Sequence, residues 1–322
     1  MKTWIDFDAA PIFAIPLIDD VGGFAVCEGM LIEGPQGWGE FSPPRGCDPQ
    51  RAGRWLTAAI EVGTVGWPDP LRGRVPVAVS VPAVDPDRAR RIVADSGCHT
   101  AAVRVDGPLG EDLARLEAVR DALGPSGAIR CDANGRWDID TAVSAITAVD
   151  RAAGGVEFIE QPCRTLEDVA AVRRRVDVRI AVDPSITDSP EQLRMPLTDY
   201  ADIAVLTVGA LGGVRRALRV AETCGLPCVV AGELGSSIGV AGGLALAGVL
   251  PDVGFASALG AVRLLAGDVV SDARSLIPVD GYLPVAPMPP APDAVRLRRF
   301  APPEVATEAR WRALLTAAQA YV

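Results

Sequence analysis

From Val75 onward, short apolar segments alternate regularly with longer amphipathic segments. The apolar segments favour strands with both faces buried. The amphipathic segments have apolar residues at helical spacing, and several end in glycine, which is typical of helices. Eight predicted strands separated by seven helices indicate an α/β fold, a TIM-like (β/α)7β barrel over residues 75–278. The predicted strands are VPVAVSV, TAAVRV, AIRCDA, VEFIE, RIAVD, DIAVLTV, PCVVAG and DVGFAS.

The segments on either side of the barrel follow other patterns. Two strand-like stretches, at roughly residues 11–17 and 25–33, precede a helical stretch from Pro49 to about Val62. We therefore predict an α+β capping domain over residues 1–74. After Pro278 the chain is rich in proline and then helical, so we expect residues 279–322 to return to the cap.

Composition narrows the class of partner. The formal net charge of −10 argues against nucleic acid and against an anionic membrane surface, and no apolar run is long enough to span a bilayer. Seven cysteines without metal-type pairing, and a start (MKTWIDFDAAP) without the pattern of an export signal, indicate a cytoplasmic protein with reduced thiols. We expect a small-molecule substrate, and the sequence does not predict an oligomeric state.

Three carboxylates stand at the ends of successive predicted strands. Asp132, Glu160 and Asp183 are separated by 28 and 23 residues, about one strand and one crossover helix each. Successive strands would then deliver all three to one rim. Converging carboxylate oxygens suit Mg²⁺, and also Mn²⁺. The alternative is that each acid only caps the following helix or faces solvent.

Residues that commonly carry protons are scarce in this chain. Lys2 is the only lysine and His99 the only histidine. Both residue types are favoured general acids and bases near neutral pH. A general base here is therefore expected to be a carboxylate, a tyrosine, a cysteine or a bound water.

Several motifs resemble those of the enolase superfamily, and within it the o-succinylbenzoate synthases of menaquinone biosynthesis. They are CDANGRW, VEFIEQPC, IAVDPS and ADIAVLTVGALGGV, and the likeness includes IEGPQGWGEF in the cap. The resemblance implies that Asp132, Glu160 and Asp183 bind Mg²⁺, with Asn134 beside them. It also implies that the metal stabilises an enediolate formed by removal of a proton next to a carboxylate.

The chain departs from the family at the positions of its catalytic lysines. The family has a K-x-K motif on the second barrel strand, where this chain has Ala102 and Arg104. The second lysine position, on the sixth strand, is Thr207, and the acid that normally follows the third metal ligand is Pro184. Ala102 and Thr207 cannot take up a proton in the working pH range, and Arg104 is effectively always charged.

These departures lead to a hypothesis for the missing base. Glu233 follows the seventh predicted strand, where a barrel places side chains over its mouth. We predict that Glu233 is the general base and that Arg104 stabilises the developing negative charge. The alternative is that Glu233 faces solvent or favours the N-terminus of the next helix. Predicted substrate contacts are Asn134, Thr207 and Ser237.

Three functions remain open at this point. The first is a different lyase, isomerase or cyclase reaction of an enolisable carboxylate or related carbonyl compound, catalysed by a repurposed barrel. The second is an o-succinylbenzoate synthase-like dehydration that uses groups other than lysine. The third alternative is a non-catalytic binding or scaffold protein that has lost its bases.

Overall fold

The computed structural model describes residues 5–21, 24–183 and 195–322. The N-terminal region forms an antiparallel sheet in the order β1-β2-β3, and helix α1 lies against it. Helix α1 begins where Asp48 accepts a hydrogen bond from the Arg51 N–H, with proline in the first turn. The elements are β1 (Ile12–Val21), β2 (Phe24–Gly34), β3 (Gly37–Phe41) and α1 (Pro49–Thr64).

One glycine sets how closely α1 approaches the cap sheet. A Cβ atom at Gly39 would lie 2.2 Å from the carbonyl oxygen of Ala59. Side chains of α1, including Trp55 and Leu56, complete the apolar layer between helix and sheet. The region is therefore a sheet-and-helix layer, as the apolar pattern predicted.

The barrel is a seven-stranded parallel sheet in the order β11-β10-β9-β8-β7-β6-β5, so chain neighbours are also neighbours in the sheet. Its strands are β5 (Val79–Val81), β6 (Thr100–Arg104), β7 (Ala128–Asp132), β8 (Ile159–Glu160), β9 (Ile180–Val182), β10 (Ile203–Thr207) and β11 (Cys228–Ala231). The α/β barrel class predicted from the alternating pattern is confirmed.

The eighth predicted strand, DVGFAS, does not form a full strand. Ser257 and Ala258 make only single bridges, to Val77 on one side and to Ala231 on the other. The Ser257 N–H donates to the Pro76 carbonyl at 2.8 Å, and the Ala258 N–H donates to the Val230 carbonyl at 2.8 Å. The segment closes the sheet between its two edges, but Pro251 just before it and Gly254 within it limit regular pairing.

Helices follow the barrel strands, and most begin with a side chain that accepts a hydrogen bond from the first turn. Asp85, Asp138, Thr165 and Ser236 are such caps. The helices are α2 (Pro86–Ala94), α3 (Leu109–Leu123), α4 (Ile139–Ala152), α5 (Leu166–Arg173), α6 (Val208–Leu211), α7 (Val214–Cys224) and α8 (Ser237–Val249).

Strand alternation divides the barrel core into two parts. Outward-facing residues such as Val103, Ile129 and Ile159 pack with the helices in one large cluster. Inward-facing residues, among them Phe158 and Val205, form a smaller cluster inside the sheet. The inside of the barrel is thus filled below its mouth, so that only the strand ends can form a site.

The C-terminal segment contacts both regions. Strand β12 (Tyr282–Pro284) pairs antiparallel with β4 (Arg74–Pro76), and the Trp311 ring meets the Phe41 ring edge to face at 5.9 Å. It contains helices α9 (Ala294–Arg299) and α10 (Val305–Ala318), and short 3₁₀ turns lie at Ala261–Leu264, Asp272–Arg274 and Gln319–Tyr321. The domain boundaries after residues 74 and 278 stay predictions. No helix in the described ranges has the length and apolar character to cross a membrane.

Candidate active site

The carboxyl ends of β6, β7 and β8 bring three charged residues side by side. Arg104 pairs in register with Asp132, and Asp132 pairs with Glu160. Neighbouring parallel strands lie about 4.8 Å apart, so the three side chains leave adjacent strands at one level. Asp183 follows directly after β9, two residues beyond the partner of Glu160. The predicted row of strand-end acids is therefore present, with an arginine at its edge.

A cavity of about 660 Å³ lies between these strand ends and the cap. The predicted residues Ala102, Arg104, Asp132, Asn134, Glu160, Asp183, Thr207 and Glu233 all line it. Five carboxylates face this space from the barrel: Asp106, Asp132, Glu160, Asp183 and Glu233. The barrel side of the cavity is therefore strongly acidic.

Asp132 is held by two different donors. The Arg104 guanidinium donates to Oδ2 at 2.9 Å, and the Asn134 backbone N–H donates to Oδ1 at 2.8 Å. Asn134 has a φ of 53°, in the left-handed region, and its side chain lies 3.5 Å from Asp106 Oδ2. Both oxygens of Asp132 are thus engaged within the protein.

Gln161 positions the residues around Glu160 and Asp183, and the sequence analysis did not single it out. It has a φ of 45° and is buried. Its Oε1 accepts a hydrogen bond from the Asp183 N–H at 3.0 Å, and its Nε2 donates to the Cys163 carbonyl at 2.7 Å. The glutamine of the EQP motif therefore ties the end of β8 to the end of β9.

The crowded acids have perturbed pKa values. Burial raises the pKa of Glu160 well above its usual value, and the charges of Asp132 and Asp183 add to this. Burial also raises the pKa of Asp132, although Arg104 and the Asn134 N–H oppose the rise. Removal of water favours the uncharged form of a carboxyl group, and nearby negative charges do the same. The barrel mouth therefore favours the binding of positively charged groups.

A second arginine lies beneath this row. Arg130 is two residues before Asp132 on β7, so both side chains leave the same face of the strand. Arg130 is buried, its guanidinium lies 5.5 Å from the Phe158 ring centroid, and its two terminal nitrogens have no hydrogen-bond partner among the residues that the structure describes. Burial lowers its pKa, and the charges of Glu157 and Glu160 oppose this. Its charge supports Glu160 from inside the barrel.

The donor set suits Mg²⁺ chemically, but its geometry as it stands does not hold a metal. Within the described residues, no group of three or more histidine, cysteine, aspartate or glutamate side chains is arranged so that it could hold a metal ion. Asp132 instead directs one oxygen to Arg104. The assignment of Asp132, Glu160 and Asp183 as metal ligands stays a prediction.

Glu233 lies in the loop between β11 and α8 and is open to the cavity. Glu233 is exposed to the cavity, and partial loss of water around its carboxyl group raises its pKa. Arg104 opposes this rise, whereas Asp183 and Asp132 add to it. A carboxylate with a raised pKa is a stronger base than an ordinary glutamate, as proton abstraction requires.

Two other predicted residues have different surroundings. Thr207 ends β10, is nearly buried and borders the cavity. Ser237 is fully buried, its hydroxyl donates to Asp268 at 2.5 Å and accepts the Leu276 N–H at 2.7 Å. Ser237 is not among the residues that line the cavity, and its role as a substrate contact stays a prediction. Pro184 lies outside the described residues.

The cap contributes a basic side to the cavity that the sequence analysis missed. Arg45, Arg51 and Arg54 line it together with Trp55. Arg51, Arg54 and Trp55 lie on α1. Arg45 precedes this helix and forms an ion pair of 3.3 Å with Glu28. The positions of Arg51 and Arg54 on the first turns of one helix were visible in the sequence. Nothing in the sequence indicated that these turns face the barrel mouth.

A buried acid joins cap and barrel in a pocket that adjoins this cavity. Glu40 on β3 accepts hydrogen bonds from the Ser236 hydroxyl and from the backbone N–H groups of Ser236 and Gly239, the latter two at 3.2 Å each. The Ser42 hydroxyl also donates to it, at 2.8 Å. Burial raises the pKa of Glu40 to about 7, although the hydrogen bonds from Ser236 and Ser42 oppose the rise. Glu40 thus fixes the start of α8, next to the loop that carries Glu233.

A parallel barrel with charged strand ends, covered by a sheet-and-helix cap, defines the class of protein. Two family profiles match the chain: Enolase N-terminal domain-like over residues 12–63, and Enolase C-terminal domain-like over residues 85–292. The chain therefore belongs to the enolase superfamily. The resemblance noted in the sequence is confirmed.

Within this superfamily the chain resembles a lyase. It is 49% identical over 311 residues to the o-succinylbenzoate synthase of Thermobifida fusca (strain YX), covering 96% of this chain and 95% of that protein. This sequence similarity supports the prediction that the chain is an enzyme.

Solved structures of the same fold extend the comparison. The muconate lactonizing enzyme of Pseudomonas fluorescens complexed with muconolactone superposes with a TM-score of 0.75 at 20% identity, covering 93% of this chain and 99% of that one. A dipeptide epimerase of Enterococcus faecalis V583, complexed with Mg and the dipeptide L-Leu-L-Tyr, gives a TM-score of 0.71 at 19% identity, covering 90% and 98%. At these identities the likeness shows the fold alone.

Proposed function

We propose that this protein is a lyase of the enolase superfamily that acts on a small, enolisable carboxylate, in a reaction of the o-succinylbenzoate synthase type. We further propose that Glu233 and Arg104 act where the family uses lysines. The observation that carries the proposal is that these two residues line one cavity and that their charges interact.

The proposed chemistry begins with a proton transfer. The Glu233 carboxylate takes the proton from the carbon next to the substrate carboxylate, and the C–H electron pair passes into that carboxylate to form an enediolate. Arg104 donates hydrogen bonds to the new negative charge, which a fixed cation stabilises without reorganisation. When the leaving hydroxide departs, protonated Glu233 can return the proton and release water.

The two sides of the cavity support an anionic substrate. The three arginines of the cap provide forked donors that match carboxylates, whereas the barrel side is acidic and repels a second negative group. A substrate with one carboxylate near Arg104 and another negative group toward the cap would satisfy both sides. Trp55 beside the arginines offers an apolar surface for the part between.

Mg²⁺ is included in this proposal, with Asp132, Glu160 and Asp183 as its ligands and Mn²⁺ as a substitute. When bound, it would add positive charge beside the enediolate. Support comes from the oxygen donor set and from the family. The present side-chain geometry, in which Arg104 holds Asp132, would have to change for the ion to bind.

Exchange of substrate hydrogen with solvent tests the proton step without knowledge of the final product. We would incubate the protein and Mg²⁺ in D₂O with a panel of carboxylates, including o-succinylbenzoate, and follow the protons next to each carbonyl or carboxylate group by NMR. We expect exchange for at least one dicarboxylate, and its loss in Glu233→Gln.

A second measurement separates the remaining functions. Formation of o-succinylbenzoate from its hydroxylated cyclohexadiene precursor at about 1–10³ s⁻¹ would show the dehydration itself. Exchange without that product would indicate a different reaction of an enolisable carboxylate. Saturable carboxylate binding without exchange or product would contradict the proposal and favour a binding protein.

A further inference from the structure

The Asp132 carboxylate forms an ion pair with a cationic side chain of the protein, Arg104. Arg104 donates to its Oδ2 at 2.9 Å, and the other oxygen already accepts the Asn134 N–H. Arg104 and Asp132 are register partners on neighbouring strands, so their contact is built into the sheet. A divalent ion using Asp132 would therefore lie within a few ångströms of a guanidinium group.

From this we infer that Arg104 and a divalent cation are alternative partners of Asp132, and that Arg104 is an internal competitor that weakens metal binding. The inference rests on the metal site of the proposed function and concerns how that site is regulated. Two positive charges this close inside a protein repel each other strongly, because little water screens them.

Other carboxylates of the cavity can pair with Arg104 when a metal displaces it from Asp132. Its side chain is 37% exposed in the cavity, so it is not locked by packing. Asp106 and Glu233 both interact with its charge from other parts of the same cavity. Displacement would therefore exchange one carboxylate partner for another instead of leaving a lone charge.

The charge balance at the mouth makes the competition measurable. Asp132, Glu160, Asp183 and Glu233 face the cavity as acids, Arg104 lies on the strand next to Asp132, and Arg130 lies beneath. Removing the Arg104 charge leaves the same acids with less positive charge nearby. A divalent ion should then bind more tightly, in contrast to the usual result when a residue is removed from a site.

The experiment measures the binding of the metal alone. Mn²⁺ affinity would be followed by electron paramagnetic resonance and Mg²⁺ affinity by calorimetry, with the full chain at low ionic strength. Arg104→Gln should tighten binding by about tenfold or more, whereas Arg104→Lys, which keeps the charge, should stay near the wild type. Arg90→Gln removes an arginine from an exposed ion pair with Asp121 and serves as the matched control.

One further variant makes the outcome decisive. Adding Asp132→Asn to Arg104→Gln should remove the gain, which places the competition on that carboxylate. Equal affinity in the wild type and Arg104→Gln would overturn the inference and leave the proposed ligands standing. If neither binds metal at several millimolar while both unfold cooperatively, both the inference and the metal part of the proposed function are wrong.

Discussion

Two carboxylates near the junction of cap and barrel, the buried Glu40 and the half-buried Asp132, are satisfied in different ways. Glu40 receives its hydrogen bonds from serine hydroxyls and from backbone N–H groups at the start of α8. Asp132 receives one from a backbone N–H and one from the Arg104 side chain. Backbone donors cannot leave without unfolding the helix end, whereas a long side chain can turn away.

This difference separates a structural acid from one that can change partner. Glu40 contacts three N–H or O–H groups of the barrel while standing on the cap, so it holds the two regions together. Asp132 stands on a barrel strand among other carboxylates, and part of its stabilisation is movable. We expect changes at the mouth to alter chemistry and changes at Glu40 to alter stability.

The largest expected effect is at the mouth. Glu233→Gln should lower kcat, or the rate of exchange in D₂O, by about 10²-fold or more, because an amide cannot accept the proton. Its melting temperature should stay that of the wild type. Glu222→Gln, on the exposed side of α7, is the matched control. An unchanged rate in Glu233→Gln would remove this residue from the mechanism.

The next effect is on stability at Glu40. Glu40→Ala should reduce the free energy of unfolding by about 2–4 kcal/mol, since it leaves buried N–H and O–H groups without an acceptor. Denaturant titration at pH 6 measures this. Glu33→Ala, an exposed acid on the neighbouring strand of the cap, should change little. A small loss at Glu40 would mean that cap and barrel are held together mainly by apolar contacts.

Glu40 should also make stability depend on pH. Its folded pKa of about 7 lies above the ordinary value of 4.5, so the folded protein binds this proton more tightly than the unfolded chain. The resulting stabilisation is complete below pH 4.5 and is lost as pH rises through 7. From pH 5 to 8 the wild type should lose about 1–3 kcal/mol more than Glu40→Gln. Parallel pH profiles for the two proteins would contradict the raised pKa.

The smallest effect is expected for Asp132. Asp132→Asn should change the free energy of unfolding by less than about 1 kcal/mol, because the amide oxygen can still accept the Asn134 N–H and Arg104 can pair with other carboxylates. The same denaturant titration as for Glu40 provides the comparison. A loss as large as that of Glu40→Ala would erase the distinction between the two acids.

Much of the architecture could be predicted because it depends on local pattern. Alternation of apolar strands and amphipathic helices determined the barrel, and acids at the ends of successive strands had to meet at one rim. Arg104 and Ala102 face the same side of their strand because residues two apart on a strand share a side. These inferences need only the period of the strand and the order of the chain.

Tertiary structure alone decided which distant groups meet. The contact between Glu40 and Ser236 joins residues 196 positions apart, and the cap arginines reach the cavity only because α1 lies over the barrel mouth. Ser236 and Ser237 are adjacent serines, yet the Ser236 hydroxyl donates to Glu40 and the Ser237 hydroxyl donates to Asp268. The physical reason is that strand and helix periods specify the side from which a residue projects, whereas its partner depends on how separate elements pack.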